Sequence, residues 1–246
     1  MPKTCLAVTS HSQISLETRL DDSGGCKDRN AGTCSHDRRL YGSLAAMRAF
    51  DYLLEQPFLF NFSQIPFTRQ KFARILKHND LETARSVLDV GCGPGTNAPR
   101  FAHAKYLGID INERYIQLAR KHFRRDFLVA DVTSSDALPS GSFDFILVNS
   151  FLHHIDDTDV RRVLSRTGEL LMSDGYLHSV ELVLPENMGI PRWLALRDRG
   201  KYPRSLAEWR QIFEGYFETI IFEPFSIRHF GLNIMNLLYF KGRRRP

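Results

Sequence analysis

Three short apolar runs end in or beside carboxylates: "SVLDV" carries Asp89, "YLGID" ends at Asp110 and "FLVAD" ends at Asp131. The first runs directly into glycines 91, 93 and 95. Glycine lets a backbone bend tightly and approach a ligand where a Cβ would collide. A helix expected from about Asn97 to Ala102 would aim its first amides back into the same crevice. Nineteen residues after Gly91, Asp110 stands where a strand-end carboxylate can accept both hydroxyls of an adenosine ribose. Asp131 can accept a hydrogen bond from an adenine amino group, with Ile111 and Val132 as apolar neighbours of the ring; a cap or turn role for Asp131 is the alternative. The pyrophosphate pattern G-x-G-x-x-G lacks its third glycine, because position 96 is Thr96.

A second set could carry proton transfer. His153 and His154 follow the apolar run "FDFILVNS", and an imidazole near its ordinary pKa takes a proton at neutral pH. Adjacent side chains cannot both face the same way, so one of the two is expected to be structural. His154 is the favoured base, with Asp156 or Asp157 as the orienting acid, while capping or packing by both histidines stays open. Further on, "PENMGIPRWLALRDRGKYPR" offers Arg192, Arg197, Arg199, Lys201 and Tyr202, which could grip a carboxylate or phosphate. Arg197, Tyr202 and the earlier Tyr41 are the candidate substrate residues; a surface salt network of Arg197, Asp198 and Arg199 is the alternative. Trp193 and Trp209 lie in runs of helical spacing and read as core.

The elements that must hold these groups alternate. Strand-like runs at Ser86 to Val90, Tyr106 to Ile109, Phe127 to Ala130, Phe143 to Asn149 and Tyr176 to Leu184 are separated by helical segments, including Glu113 to Phe123 and Asp157 to Leu171. That is the pattern of a parallel sheet wound with helices. The ending departs from it: after the helical "SLAEWRQIFEGYF", two β-like runs meet at Gly231, which favours an antiparallel pair. Residues 1–38 show no sustained apolar period and read as a mobile leader. Residues 39–83 read as a cap of helices separated by Pro57 and Pro66, and residues 84–246 as the core, with an insertion at 185–204 of the kind that often covers a site.

Through "VLDVGCGPGTN", "YLGIDIN", "FLVADV" and "ALPSGSFDFILVNSFLHHI", the chain resembles the class I S-adenosylmethionine-dependent methyltransferases over about residues 84 to 184, and more loosely to the final hairpin. The resemblance implies an α/β, Rossmann-like, seven-stranded sheet in the order 3-2-1-4-5-7-6 with strand 7 antiparallel. It also implies S-adenosylmethionine as cofactor. Asp89 would lie near the ligand's methionyl amino group, the loop of Gly91, Gly93 and Gly95 under methionine and ribose, Asp110 at the ribose and Asp131 near adenine. Asn97 and Asn149 complete the expected cofactor set. The implied activity is methyl transfer to oxygen, nitrogen or activated carbon of a small molecule in secondary or cofactor metabolism. The alternatives are an RNA or protein methyltransferase and a catalytically silent member of the fold.

Composition bears on these alternatives. Of the 33 basic residues four sit in the terminal "KGRRRP", read as a solvated end; without them the basic residues balance the 28 acidic ones to within one. A nearly neutral body with no nucleic-acid module speaks against a nucleic-acid partner. No apolar run is long enough to span a bilayer, and no signal-peptide core is present, so a cytoplasmic location is expected. Cys5, Cys26, Cys34 and Cys92 show no dense pairing pattern and read as reduced thiols. The spacing of Cys26, Cys34 and His36 is not that of a zinc site, and no metal is expected.

Overall fold

The computed structural model describes residues 57–198 and 200–245, with side chains from residue 67 onward. The leader and Tyr41 lie outside the described residues. Helix α1 (Pro57–His78) leads into β1 (Ser86–Val90), β2 (Lys105–Asp110), α2 (Glu113–His122), β3 (Asp126–Val129), β4 (Phe143–Asn149) and α3 (Asp157–Leu170). After these come β5 (Leu171–Leu182), α4 (Ile190–Arg197), α5 (Leu206–Glu214), β6 (Phe217–His229) and β7 (Leu232–Arg244). The seven strands form one sheet in the order β3-β2-β1-β4-β5-β7-β6. Pairing is parallel from β3 through β5, and β7 runs antiparallel to both β5 and β6.

Strand side chains alternate between two cores, as the two-residue period requires of a sheet covered on both faces. Leu88, Ile146, Val148, Leu177 and Leu238 face the core that takes Val163 and Leu164 of α3 and Trp209 and Phe213 of α5. Val87, Phe145, Leu147, Val180 and Tyr239 face the other, with Phe72 and Ile75 of α1 and Ile116 and Ala119 of α2. The carboxyl ends of β1, β2 and β4 therefore lie side by side, and open α/β sheets bind ligands at such an edge.

Three expectations are corrected. Helix α1 continues through Pro66, where a break was expected. Proline removes one backbone hydrogen bond, and the turns beyond it are anchored by Phe72 and Ile75, both fully buried. The helix expected at Asn97 to Ala102 is a four-residue 3-10 turn, Ala98–Phe101, because Pro99 sits in its first turn and β2 begins at Lys105. So short a turn has no macrodipole to aim at a ligand. The terminal basic residues are not a frayed end: β7 runs to Arg244, and Arg243 forms a two-pronged pair with Glu218 at 2.8 and 2.9 Å.

The glycines do different work. All three of the loop have positive φ, at 67°, 54° and 80°. A Cβ on Gly95 would lie 2.8 Å from Phe127 Cζ and 3.0 Å from Ala119 Cβ, whereas one on Gly93 would meet nothing within 4 Å. Gly95 serves the packing of α2 and β3, and Gly93 faces open space. Gly95→Ala adds a clash to backbone strain and is expected to cost about 2–4 kcal/mol, against about 1–2 kcal/mol for Gly93→Ala. Chemical denaturation of both variants checks this, and equal losses would contradict the division.

Candidate active site

At the end of β1 the buried Asp89 carboxylate accepts hydrogen bonds at Oδ2 from Tyr106 Oη at 2.7 Å and Asn97 Nδ2 at 3.2 Å. Its second oxygen, Oδ1, and the Asn97 Oδ1 are both buried and have no hydrogen-bond partner among the described residues. Two neighbouring buried acceptors without donors are costly, and they suit a ligand that brings N–H groups and positive charge. Burial pushes the Asp89 carboxyl up to about 7, against the opposing pull of the Tyr106 and Asn97 hydrogen bonds.

Asp110 closes β2 with both oxygens on backbone amides: Oδ2 accepts from Gly93 N at 2.9 Å and Oδ1 from Asn112 N at 2.8 Å. The carboxylate thus fixes the glycine loop and keeps further lone pairs for hydroxyl donors. Ile111 beside it is 74% exposed, an apolar side chain left open at the strand end. Asp131 instead closes its own turn, accepting from Thr133 N and Oγ1 at 2.8 and 2.7 Å, and Val132 is packed into the core.

A cavity of about 190 Å³ is lined by Gly91, Gly93, Asn97, Asn149, Ser150, Lys71, His153, His154 and Asp198. It joins the glycine loop to the histidines. Ser150, next after β4, holds φ at +55°, a strained value for a residue with a side chain, and its hydroxyl accepts from Lys71 Nζ at 3.2 Å. Lys71 enters from α1, and burial pulls its pKa down while Asp198 and Glu181 oppose the fall.

The two histidines divide as their adjacency requires. His153 is buried, with Nδ1 2.7 Å from Glu181 Oε2 and Nε2 3.3 Å from Asp198 Oδ2. Burial alone would lower its pKa, yet the hydrogen bonds to Asp198 and Glu181 carry it up to about 9. At neutral pH His153 is an imidazolium and cannot act as the base. His154 is exposed, on the cavity's rim, its ring centroid 4.3 Å from that of His153.

The expected orienting acids serve elsewhere. Asp156 caps α3, and Asp157 pairs with Arg204 at 2.7 Å. Glu181 and Asp198 orient His153 instead. Fully buried Glu181 also accepts from the amides of Phe151, Leu152 and His153 at 3.2, 3.0 and 3.3 Å, so one carboxylate shapes the whole turn after β4.

The insertion leaves the sheet at Val183 and returns at Arg204, where the two residues form a parallel bridge. Arg204 donates to the carbonyls of Leu152 and Ile155 at 3.1 and 2.9 Å, and Tyr202 N donates to His153 O at 3.1 Å. Tyr202 therefore touches the site through its backbone. Arg197 lies over the Trp193 ring at 4.5 Å and does not line the cavity. Trp193 is 54% exposed, contrary to the core role expected of it, whereas Trp209 is fully buried and donates to Leu182 O at 2.9 Å. The Asp198 carboxylate turns inward to His153 and accepts from Gly200 N at 3.0 Å, and Arg199 of the expected salt network lies outside the described residues. Cys92 is a free, buried thiol whose pKa burial raises far above the ordinary range, so it is not a nucleophile.

The family model described as a methyltransferase domain matches residues 87–175, the stretch from the glycine-loop strand to the start of β5. This stretch is a methyltransferase domain of the S-adenosylmethionine-dependent class. An uncharacterized methyltransferase of Mycobacterium tuberculosis is 36% identical over 132 residues, covering 48% of this chain and 66% of its own. The trans-aconitate 2-methyltransferase of Delftia acidovorans is 29% identical over 136 residues, covering 50% of this chain and 51% of its own. The chain thus spans between half and two thirds of the length of these relatives. Among solved structures, N-methyltransferase NodS from Bradyrhizobium japonicum, in complex with S-adenosyl-L-homocysteine, aligns with a TM-score of 0.60 at 16% identity, over 81% of this chain and 98% of that one. In this methyltransferase, sequence patterns pointed to Asp89, Asp110 and the glycines. Lys71, Ser150, Glu181, Asp198 and Arg204 were missed. Only Glu181 left a trace, as the single acid in the apolar run "YLHSVELVL".

Proposed function

We propose that this protein transfers the methyl group of S-adenosylmethionine to a small-molecule acceptor. The observation that carries the reading is the pair of buried, unpartnered oxygens, Asp89 Oδ1 and Asn97 Oδ1, beside a glycine loop that is fixed by Asp110 and open at Gly93. The pair suits the ligand's ammonium group, Gly93 allows close approach, and Asp110 and Ile111 suit the ribose and the adenine face. Asn149, at the cavity wall, is the further cofactor residue proposed. The turn after Asp131 leaves that residue a peripheral role near adenine.

The bound cofactor supplies an already activated methyl group, so the chain has mainly to align the acceptor and exclude water, effects worth about 7–11 kcal/mol when alignment is good. The acceptor would meet Lys71, Ser150 and His154, which line the cavity. His154, rather than the protonated His153, is the side chain suited to take a proton there. A small acceptor is supported by the cavity's size.

Two measurements bear on this. With methyl-labelled S-adenosylmethionine, label should appear in small molecules from a metabolite mixture and not in added ribosomal RNA or protein; the opposite distribution would sink the small-molecule reading. The ammonium of the ligand favours ionised Asp89, so affinity should fall as pH drops below about 7, by up to about tenfold per unit. Asp89→Asn should flatten that dependence in calorimetric titrations, and an unchanged slope would remove Asp89 from the ammonium site.

A further inference from the structure

Glu181 and His153 are buried and Asp198 is half-buried in the row that braces the turn after β4. One ligand atom each from His153, His154 and Asp198 lies within 4.8 Å of the others, and all three side chains line the cavity. We propose that these three residues bind a divalent transition-metal ion of the zinc class at the acceptor end of the cleft.

The distance between His153 Nε2 and Asp198 Oδ2 is 3.3 Å. A charge-assisted hydrogen bond between such groups is usually about 2.7–2.9 Å. Two ligands at about 2.0 Å on a tetrahedral ion stand about 3.3 Å apart. The pair therefore has the spacing of two corners of a coordination tetrahedron. Turning the exposed His154 ring closes the third corner.

Glu181 supplies the outer support such sites use. Its Oε2 lies 2.7 Å from His153 Nδ1 and keeps a proton on that nitrogen, so an ion binding at Nε2 would displace the Nε2 proton of the imidazolium and meet the lone pair left there. Asp198 is held by Gly200 N, and the Tyr202-to-His153 backbone bond ties the two ligand-bearing segments together. The carboxylates of Glu181 and Asp198 offset the charge of an incoming ion and of Lys71 nearby. Two imidazoles with one carboxylate favour zinc-class ions over magnesium or calcium, which prefer oxygen sets. Three protein ligands leave a fourth position open to the cavity.

One consequence rests on the methyl-transfer reading: the open position would take a hydroxyl or carboxylate oxygen of the acceptor, which makes the acceptor an oxygen nucleophile. His154 would then act as a ligand and not as the base.

The test is titration of the full chain with Co²⁺, followed by its visible absorption, without cofactor or acceptor. One equivalent should give the intense spectrum of a tetrahedral nitrogen and oxygen set, without the thiolate charge-transfer band that the cysteines would produce, and Zn²⁺ should displace it. His154→Ala and Asp198→Ala should abolish the spectrum, and Glu181→Gln should weaken binding roughly 10- to 100-fold. Because His154 is exposed, its variant is expected to fold, with circular dichroism as the check. No saturable cobalt spectrum, or one unchanged in both ligand variants, overturns the site. Cobalt binding without any affinity for S-adenosylmethionine would leave the metal site standing and remove the methyl-transfer reading.

Discussion

Replacing Asp110 with alanine is expected to weaken S-adenosylmethionine binding about 100-fold while leaving the fold intact. The carboxylate holds Gly93 N at 2.9 Å and Asn112 N at 2.8 Å, so its loss loosens the loop on which the ligand would rest. It also removes the acceptor for the ribose hydroxyls. Hydrogen bonds to a charged group contribute about 1.5–3 kcal/mol each, so two ribose contacts or one contact plus a slackened loop reach the roughly 2.7 kcal/mol that corresponds to that factor. Calorimetric titration of the variant measures it directly. Asp110→Asn keeps the shape and one acceptor oxygen and should fall between the two. Wild-type affinity in Asp110→Ala would mean that the ligand binds elsewhere.

Glu181→Ala should act on stability. The substitution strands three amides and the Nδ1 of a buried imidazolium, and removing one partner of a buried charge pair costs about 3–5 kcal/mol. For a chain of this size that lowers the melting temperature by roughly 6–20 °C. The pH dependence has a definite sign. His153 is raised from 6.5 to about 9 in the folded protein, so the stability its charge provides is complete below pH 6.5 and is lost as pH rises through 9. The gap between wild type and variant should therefore be widest in mild acid and narrow in alkali. Differential scanning calorimetry across that range checks both the size and the direction; a gap that widens with pH would contradict the assignment of His153 as an imidazolium.

The parts legible in the sequence were those written in local patterns. Short apolar runs alternating with helical ones make a parallel sheet legible, and the hairpin at Gly231, where φ is +78°, makes its antiparallel ending legible; the order of the strands is legible only through the resemblance to a known family. Asp89 and Asp110 were legible because each is fixed by its place at a strand end. The helix after the glycine loop was not, since a pattern of residue types gave no warning that Pro99 and the nearby start of β2 leave room for a 3-10 turn alone. The partners of His153 were hidden for a different reason. Glu181 lies 28 residues away, in a strand adjoining β4, and Asp198 lies beyond a helix of the insertion, so only the folded sheet edge brings them together. Asp156 and Asp157 looked better by nearness in sequence, but a helix start uses such residues for its own cap and surface pairs.

The terminal basic residues carry the same lesson. Read as composition, they look like a charged tail. In the sheet Arg243 meets Glu218 across a β ladder, and Lys241 lies over the Tyr176 ring at 4.3 Å. Arg243 is thus part of a strand pair, which its place in a basic run does not reveal.

The unpartnered oxygens of Asp89 and Asn97, beside the glycine loop that Asp110 fixes, are the reason to expect S-adenosylmethionine to bind there. Calorimetric titration of the full chain with S-adenosylmethionine, with S-adenosyl-L-homocysteine and with NAD tests this expectation most directly. Both sulfur ligands should bind at one equivalent, each losing affinity in Asp89→Asn, and NAD should not bind. Failure of both sulfur ligands to bind, or saturable binding of NAD, would contradict it.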